Sequence, residues 1–142
     1  MAAGEEKQQL ALDILELFEK ELETYQFFNS TNNPVAAEGG LREAMHVSMA
    51  AESCLRTAVI DWLKVFGSKN SPVFFNRFVE KRKFLGELAL IEKNEKQFKD
   101  AVEAIREFRN IHLPSEEDIE RVSCYMEDAM RIAAAFEKLA AK

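Results

Sequence analysis

The C-terminal quarter of the chain repeats apolar residues in alternating steps of three and four. The repeat consists of Ile119, Val122, Met126, Ala129, Ala133, Phe136 and Ala140. This spacing is a heptad seam, which favours a helix packed nearly parallel to its neighbours in a bundle. Ser115, with Asp118 three residues later, predicts the helix start, so we expect one helix from Ser115 to Lys142, roughly 40 Å long. Because that length exceeds the size of so small a domain, we expect a second chain in an isologous dimer.

Similar spacing predicts helices through the rest of the chain, which has only five glycines and three prolines to interrupt them. We expect helices over about 5–28, 74–84 and 94–112. A further helix should end at about Phe66; Pro34 can start it, and Gly39-Gly40 either frays its start or delays it. Gly86 should weaken any extension of the third helix, and Asn94 with Gln97 should start the fourth with a capping box. The predicted fold class is all-α: a single domain over residues 1–142, built as an up-and-down helical bundle of about five helices.

Net charge and cysteine content limit the kinds of binding partner and the cellular compartment that we expect for this chain. The net charge of −6 argues against broad, non-specific binding to nucleic acid but does not exclude a local basic site. Cys54 and Cys124 have no ligand-like spacing, which predicts free, buried thiols in a reducing cytosol. No apolar run reaches the roughly 18 residues of a membrane span, and the N-terminal stretch lacks the apolar core of a signal peptide. We therefore expect a cytoplasmic protein with no membrane partner.

The stripe that the fourth helix should bury ends in two polar residues. Phe98, Val102, Ile105, Arg109 and His112 fall within one stripe about 80° wide. Packing does not require a guanidinium and an imidazole there, because buried charges are costly unless they are paired or used. Either the helix end emerges into solvent, or Arg109 and His112 belong to a functional site.

A metal or cofactor site has little support in the sequence. Glu43 and His46 have the Glu-x-x-His spacing of metal ligands on one helix face, but carboxylate-bridged bundle sites need two such pairs. The only other histidine is His112, and the residue three positions before it is Arg109. We therefore predict no metal, and the lack of a phosphate-cradling glycine loop predicts no cofactor.

A basic stretch with interleaved phenylalanines follows the second helix. Its cations are Arg77, Lys81, Arg82 and Lys83, and its aromatic residues are Phe74, Phe75, Phe78 and Phe84. Such a mixture can contact RNA through charge and stacking. An amphipathic helix with inward phenylalanines and solvated cations gives the same pattern, and we prefer that interpretation.

The segment from Glu52 to Ser68 resembles the second helix and following turn of HEPN-like proteins of the abortive-infection AbiU type. It carries Asp61-Trp62 and then Phe66-Gly67-Ser68 in the order found in that group. A later helix in the group ends in Phe-Arg-Asn or Phe-Arg-Asp with a nearby His, and Phe108-Arg109-Asn110 with His112 stands in that place. The resemblance extends from about Leu41 to the end of the chain. Trp62 lies on the apolar stripe of its helix, so we expect it in the core.

The resemblance implies an all-α domain that dimerises around its Arg/His motif, and many HEPN proteins are metal-independent endoribonucleases. In such an enzyme His112 would transfer a proton near neutral pH. Arg109 would hold the phosphate, and Asn110 would orient either group by hydrogen bonding. Arg106 is the alternative to Arg109, because the five residues between Arg106 and His112 match the family spacing.

The function expected from the resemblance is RNA cleavage by a homodimer in a toxin–antitoxin or phage-defence system. RNA would be the substrate, and an antitoxin protein would be a partner. Because only two residues separate Arg109 from His112, the motif is either shortened or no longer catalytic. The alternative function is therefore a catalytically inactive HEPN-like helical module that binds a protein or nucleotide partner.

Overall fold

The computed structural model describes residues 3–28 and 41–141, with side chains for residues 4–28 and 49–141. These ranges contain no strand. Their helices are α1 (Ala3–Phe28), α2 (Leu41–Phe66), a short 3₁₀ helix (Phe75–Arg77), α3 (Lys81–Leu90), α4 (Glu95–Asn110), α5 (Glu116–Ser123) and α6 (Met126–Ala140). The all-α fold class is confirmed, and α5 with α6 takes the place of the single last helix in a bundle of about five.

The long helices run up and down against each other. α1 packs along α2, and α1 is also antiparallel to the C-terminal segment. The Gln8 amide near the start of α1 donates to the carbonyl of Ala140 at the end of α6. At the other end of α1, Tyr25 Oη lies 3.0 Å from Ser123 Oγ at the end of α5. These two contacts fix the direction of α1 relative to α5 and α6.

The core is centred on aromatic rings at the end of α2. Phe66 has its ring centroid 4.8 Å from that of Trp62 and 5.9 Å from that of Phe136. The rings of Phe75, Phe84 and Phe98 also surround it, at 5.8–6.3 Å. Large aromatic side chains bury the most apolar surface per residue, so this cluster ties α2, α3, α4 and α6 to one another.

The predicted single C-terminal helix is wrong, because the chain interrupts it at Cys124 and Tyr125. The Tyr125 amide donates to the Val122 carbonyl at 2.9 Å, a three-residue step that ends α5 before α6 begins. The apolar repeat continues across the break, and Val122, Met126, Ala129 and Phe136 are all buried within this one chain. The length argument for a second chain therefore does not hold.

The predicted third helix over 74–84 is also displaced. The structure has the 3₁₀ helix Phe75–Arg77, an extended Glu80, and α3 from Lys81 through Gly86 to Leu90. Phe75 and Phe84 are both buried. Nine residues apart, they would point to opposite sides of one helix at about 100° per residue. The break before Lys81 lets both rings enter the same core.

The smaller predictions have different outcomes: some are confirmed, some are wrong, and some concern side chains outside the described residues. The capping box of Asn94 and Gln97 is present. Cys54 and Cys124 are free thiols, but neither is buried as predicted. Cys54 is half-buried, and Cys124 is exposed because it lies at the break after α5. Glu43 and His46 lie in α2, and their side chains are outside the described residues, as are Pro34 and Gly39-Gly40.

Candidate functional site

The apolar stripe of α4 emerges into solvent where the sequence places its polar residues. Phe98, Val102 and Ile105 are buried, whereas Arg109 and His112 are exposed. α4 ends at Asn110, and Ile111 has extended backbone with φ −80° and ψ 123°. The predicted continuation of the helix to His112 is therefore wrong, and His112 lies in the turn after it.

Arg109 and Asn110 contact each other at this exposed end. Arg109 Nε donates to Asn110 Oδ1 at 3.4 Å. This distance is at the long end of the range for a hydrogen bond, so it restrains the two side chains only weakly. Both side chains are exposed, so a ligand can reach them.

Arg56 is a residue of this region that the sequence analysis missed. From α2, its Nη2 donates to the carbonyls of Ile111 and His112, each at 2.7 Å. Its guanidinium carbon also lies 5.9 Å from the centre of the Phe108 ring. A cation there satisfies carbonyls just past the negative end of the α4 dipole. No sequence spacing could indicate it, because its partners lie 55 and 56 residues away.

A groove runs along the other side of α4, against the end of α2 and the segment that follows. It has a volume of about 940 Å³ and is open to solvent. Its lining residues are Phe66, Gly67, Lys69, Phe74, Phe75, Asn76, Arg77, Lys81, Phe98, Lys99, Val102, Glu103, Arg106, Glu107 and Asn110. Its volume lies near the upper end of the range for ligand pockets, roughly 300–1,000 Å³.

Cations outnumber carboxylates along the groove. Five lining residues are basic (Lys69, Arg77, Lys81, Lys99 and Arg106) and two are acidic (Glu103 and Glu107). The whole chain has a net charge of −6. The groove is therefore a local basic site on an acidic protein, and it attracts anions that the rest of the surface repels.

Two arginines brace the loop that forms one wall of the groove. The Arg106 guanidinium donates to the carbonyl of Gly67, directly after α2. Arg77 Nε donates to the carbonyl of Ser71 at 2.8 Å. Because a guanidinium carries five N–H donors, each arginine keeps donors available for a ligand.

The structure divides the four predicted site residues into two pairs. Arg106 and Asn110 line the groove, whereas Arg109 and His112 are not among its lining residues. Asn110 belongs to both places, because it also contacts Arg109. The exposed Arg/His end of α4 thus adjoins the groove at Asn110.

The basic and aromatic stretch contributes to the groove only in part. Phe75 and Phe84 are buried and the four cations are exposed, as in the preferred amphipathic interpretation. Arg77 and Lys81 line the groove, and Phe74 presents a half-buried ring to it. The break before α3 brings these side chains to the groove. The predicted continuous helix over 74–84 did not indicate this arrangement.

No protein-family model matches the chain, and the searches of curated proteins and of solved structures found no match. The HEPN-like assignment stays a prediction from its motifs. Among the described helices, none is long and apolar enough to cross a membrane.

Proposed function

We propose that this protein binds RNA in the groove between α4 and the end of α2. The observation that supports this proposal is the excess of five basic over two acidic residues along the groove of a chain with net charge −6. Phosphate contacts by lysine and arginine supply most of the affinity for a nucleic-acid backbone. The half-buried ring of Phe74 adds a surface on which a base can stack.

Charge-matched variants test the proposal. Lys69 and Lys99 line the groove, whereas Lys7 on α1 and Lys96 on α4 are exposed and do not line it. We expect Lys69→Gln/Lys99→Gln to weaken binding of a labelled single-stranded RNA in fluorescence anisotropy. The slope of log affinity against log salt should fall by about 0.7 for each lysine–phosphate pair that the substitutions remove.

The control variant Lys7→Gln/Lys96→Gln removes the same charge from outside the groove. It should leave the affinity close to that of the wild-type protein. Equal losses in both variants would mean that net charge, and not the groove, determines binding, and the proposal would be wrong.

RNA cleavage is a second candidate function, favoured by the contact between Arg109 and Asn110 at the border of the groove. RNA carries its own nucleophile in the 2′-hydroxyl. The exposed His112 would move a proton, Arg109 would bind the phosphate, and Asn110 would orient them. In this proposal the protein is a HEPN-like homodimeric endoribonuclease of a toxin–antitoxin or phage-defence system, and an antitoxin protein is its partner.

Incubation with structured RNA in EDTA separates the two candidates. For a metal-independent endoribonuclease, we expect cleavage by the wild-type protein and loss of cleavage in His112→Ala and Arg109→Ala. Both side chains are exposed, so both variants should fold normally. Binding without cleavage by the wild-type protein would support the alternative, a non-catalytic module that binds its partner in the groove.

A further inference from the structure

Two of the lysines that line the groove share one carboxylate. Lys81 Nζ at the start of α3 lies 3.1 Å from Glu95 Oε1. Lys99 Nζ on α4 lies 3.3 Å from the same oxygen. Hydrogen bonds from Lys81 and then Lys99 hold the pKa of Glu95 below its ordinary value of 4.5.

This arrangement places two ammonium groups around one anionic oxygen. Because both nitrogens reach the same atom, they lie close enough together to bind two oxygens of a single phosphate group. Each ammonium has three donors, and only one is needed for Glu95. All three side chains are substantially exposed, between 43% and 67%.

Exposed ion pairs of this kind are weak and exchangeable. The carboxylate of Glu95 can therefore leave the lysines when a more highly charged anion arrives. Both lysines stay within the groove wall when it does, since Lys81 is the first residue of α3 and Lys99 lies in the second turn of α4.

We infer that Lys81 and Lys99 form a phosphate subsite of the groove, and that Glu95 occupies this subsite as an internal counter-ion until an RNA phosphate replaces it. The inference rests on the proposed RNA binding and names the position in the groove where one phosphate is held. It also assigns Glu95 a regulatory effect, because the carboxylate competes with the ligand for the same donors.

Affinity measurements test the competition. Glu95→Gln should tighten binding of a short single-stranded RNA about two- to five-fold at low salt, because it removes a weak competing ion pair. This gain should disappear in the Lys81→Gln/Lys99→Gln background. Glu103→Gln, which removes another carboxylate of the groove, is the matched control, and its effect should persist in that background.

The ionisation of Glu95 gives a second measurement that does not depend on affinity. A phosphate that replaces the carboxylate releases it from both lysines, so the pKa of Glu95 should return toward 4.5 when RNA is bound. Carbon-detected NMR of the carboxyl group against pH measures this change. Inorganic phosphate should produce the same change only at much higher concentration, since it lacks the other contacts of the groove.

The outcomes distinguish the subsite from RNA binding itself. RNA that binds without moving the pKa of Glu95, or a gain in Glu95→Gln that survives removal of both lysines, would overturn the subsite and leave RNA binding intact. If inorganic phosphate moved the pKa of Glu95 and RNA did not, the assignment of the subsite to an RNA phosphate would be overturned. A wild-type protein that binds no RNA would overturn the proposed function and the subsite with it.

Discussion

Trp62 belongs to the Asp61-Trp62 motif, and its role is structural. Its side chain is fully buried, as predicted, and its ring packs against Phe66. Its Nε1 donates to the carbonyl of Ala129 at 3.0 Å, so the indole joins α2 to α6 by a hydrogen bond as well as by packing. The preceding Asp61 is buried and paired with Lys64 at 3.1 Å. The Asp-Trp pair is therefore part of the scaffold that holds the groove.

Trp62→Ala should lower the free energy of unfolding by about 3–5 kcal/mol, because it opens a large cavity in the aromatic core. Trp62→Phe keeps part of the ring volume and removes the hydrogen bond to Ala129, worth about 1 kcal/mol. It should therefore cost less than Trp62→Ala. Urea unfolding followed by circular dichroism measures both, and an unchanged midpoint in Trp62→Ala would contradict the buried position.

Glu21 faces Asp61 across the contact between α1 and α2. Burial, followed by the hydrogen bond to Asp61 and the charge of Asp61, raises the pKa of Glu21 to about 8, and Lys64 opposes this effect. Its Oε2 is buried with no hydrogen-bond partner in the described part of the chain. The protonated form is thus the one that fits this contact near neutral pH.

This raised pKa predicts that the protein loses stability as pH rises from about 4.5 to about 8. A folded pKa of about 8 against an ordinary 4.5 means that the stabilising contribution is complete below pH 4.5 and is lost as pH rises through 8. Glu21→Gln keeps the shape of the protonated carboxyl and cannot ionise. It should therefore be more stable than wild type at pH 9 and similar at pH 4, as measured by urea unfolding.

The control for this variant is Glu23→Gln, which changes an exposed carboxylate on the same helix. It should leave the pH dependence of stability unchanged. A Glu21→Gln variant whose stability falls with pH as steeply as that of wild type would show that Glu21 does not ionise in this range.

α3 forms although it has a glycine in its interior. Gly86 lies in its middle, and a Cβ added there would have nothing within 4 Å. Glycine in a helix interior is less favourable than alanine by about 0.5–1 kcal/mol. The helix forms because Phe84 and Leu88 enter the core, so tertiary packing overrides the local preference.

Gly86→Ala should raise the free energy of unfolding by about 0.5–1 kcal/mol. Gly67→Ala is the contrasting variant, because its Cβ would overlap the buried side chain of Leu63. It should destabilise the protein. Thermal unfolding compares the two, and a destabilised Gly86→Ala would mean that the residue is needed for something other than helix formation.

Local signals in the sequence are sufficient to predict where helices start but not where they break. The capping boxes at Asn94 and Ser115 involve partners three residues away, so the sequence predicts them and the structure contains them. The break at Cys124 leaves the apolar repeat in phase and has no local marker. The groove could not be predicted either, because it depends on contacts between distant residues such as Arg106 and Gly67.

Charge is distributed unevenly over the whole molecule. The groove has a positive excess, whereas Glu16, Glu19 and Glu137 lie near one another where α1 meets α6. Burial, and then the charge and hydrogen bond of Glu19, raise the pKa of Glu137 to about 7. Because partial protonation of Glu137 weakens the negative charge of this cluster near neutral pH, the attraction of RNA rests on the positive excess of the groove.

The apolar repeat of α5 and α6 no longer supports a dimer, so the prediction must rest on other surfaces. The HEPN-like resemblance, which stays a prediction, implies a partner chain at the Arg/His motif. Leu113, the residue after His112, is 82% exposed. An exposed leucine beside the motif is an apolar contact that a second chain would cover.

Sedimentation equilibrium at micromolar concentration tests this arrangement. We expect a dimer that buries well over about 1,000 Å² in total, and Leu113→Asp should dissociate it because a carboxylate would be desolvated at the contact. Leu90→Asp changes a leucine that is 71% exposed at the end of α3, and it should leave the dimer intact. A wild-type protein that sediments as a 16.2 kDa monomer would exclude a site composed of Arg109 and His112 from two chains. A dimer that survives Leu113→Asp would place the contact elsewhere, and the Arg/His end of α4 would then act within one chain.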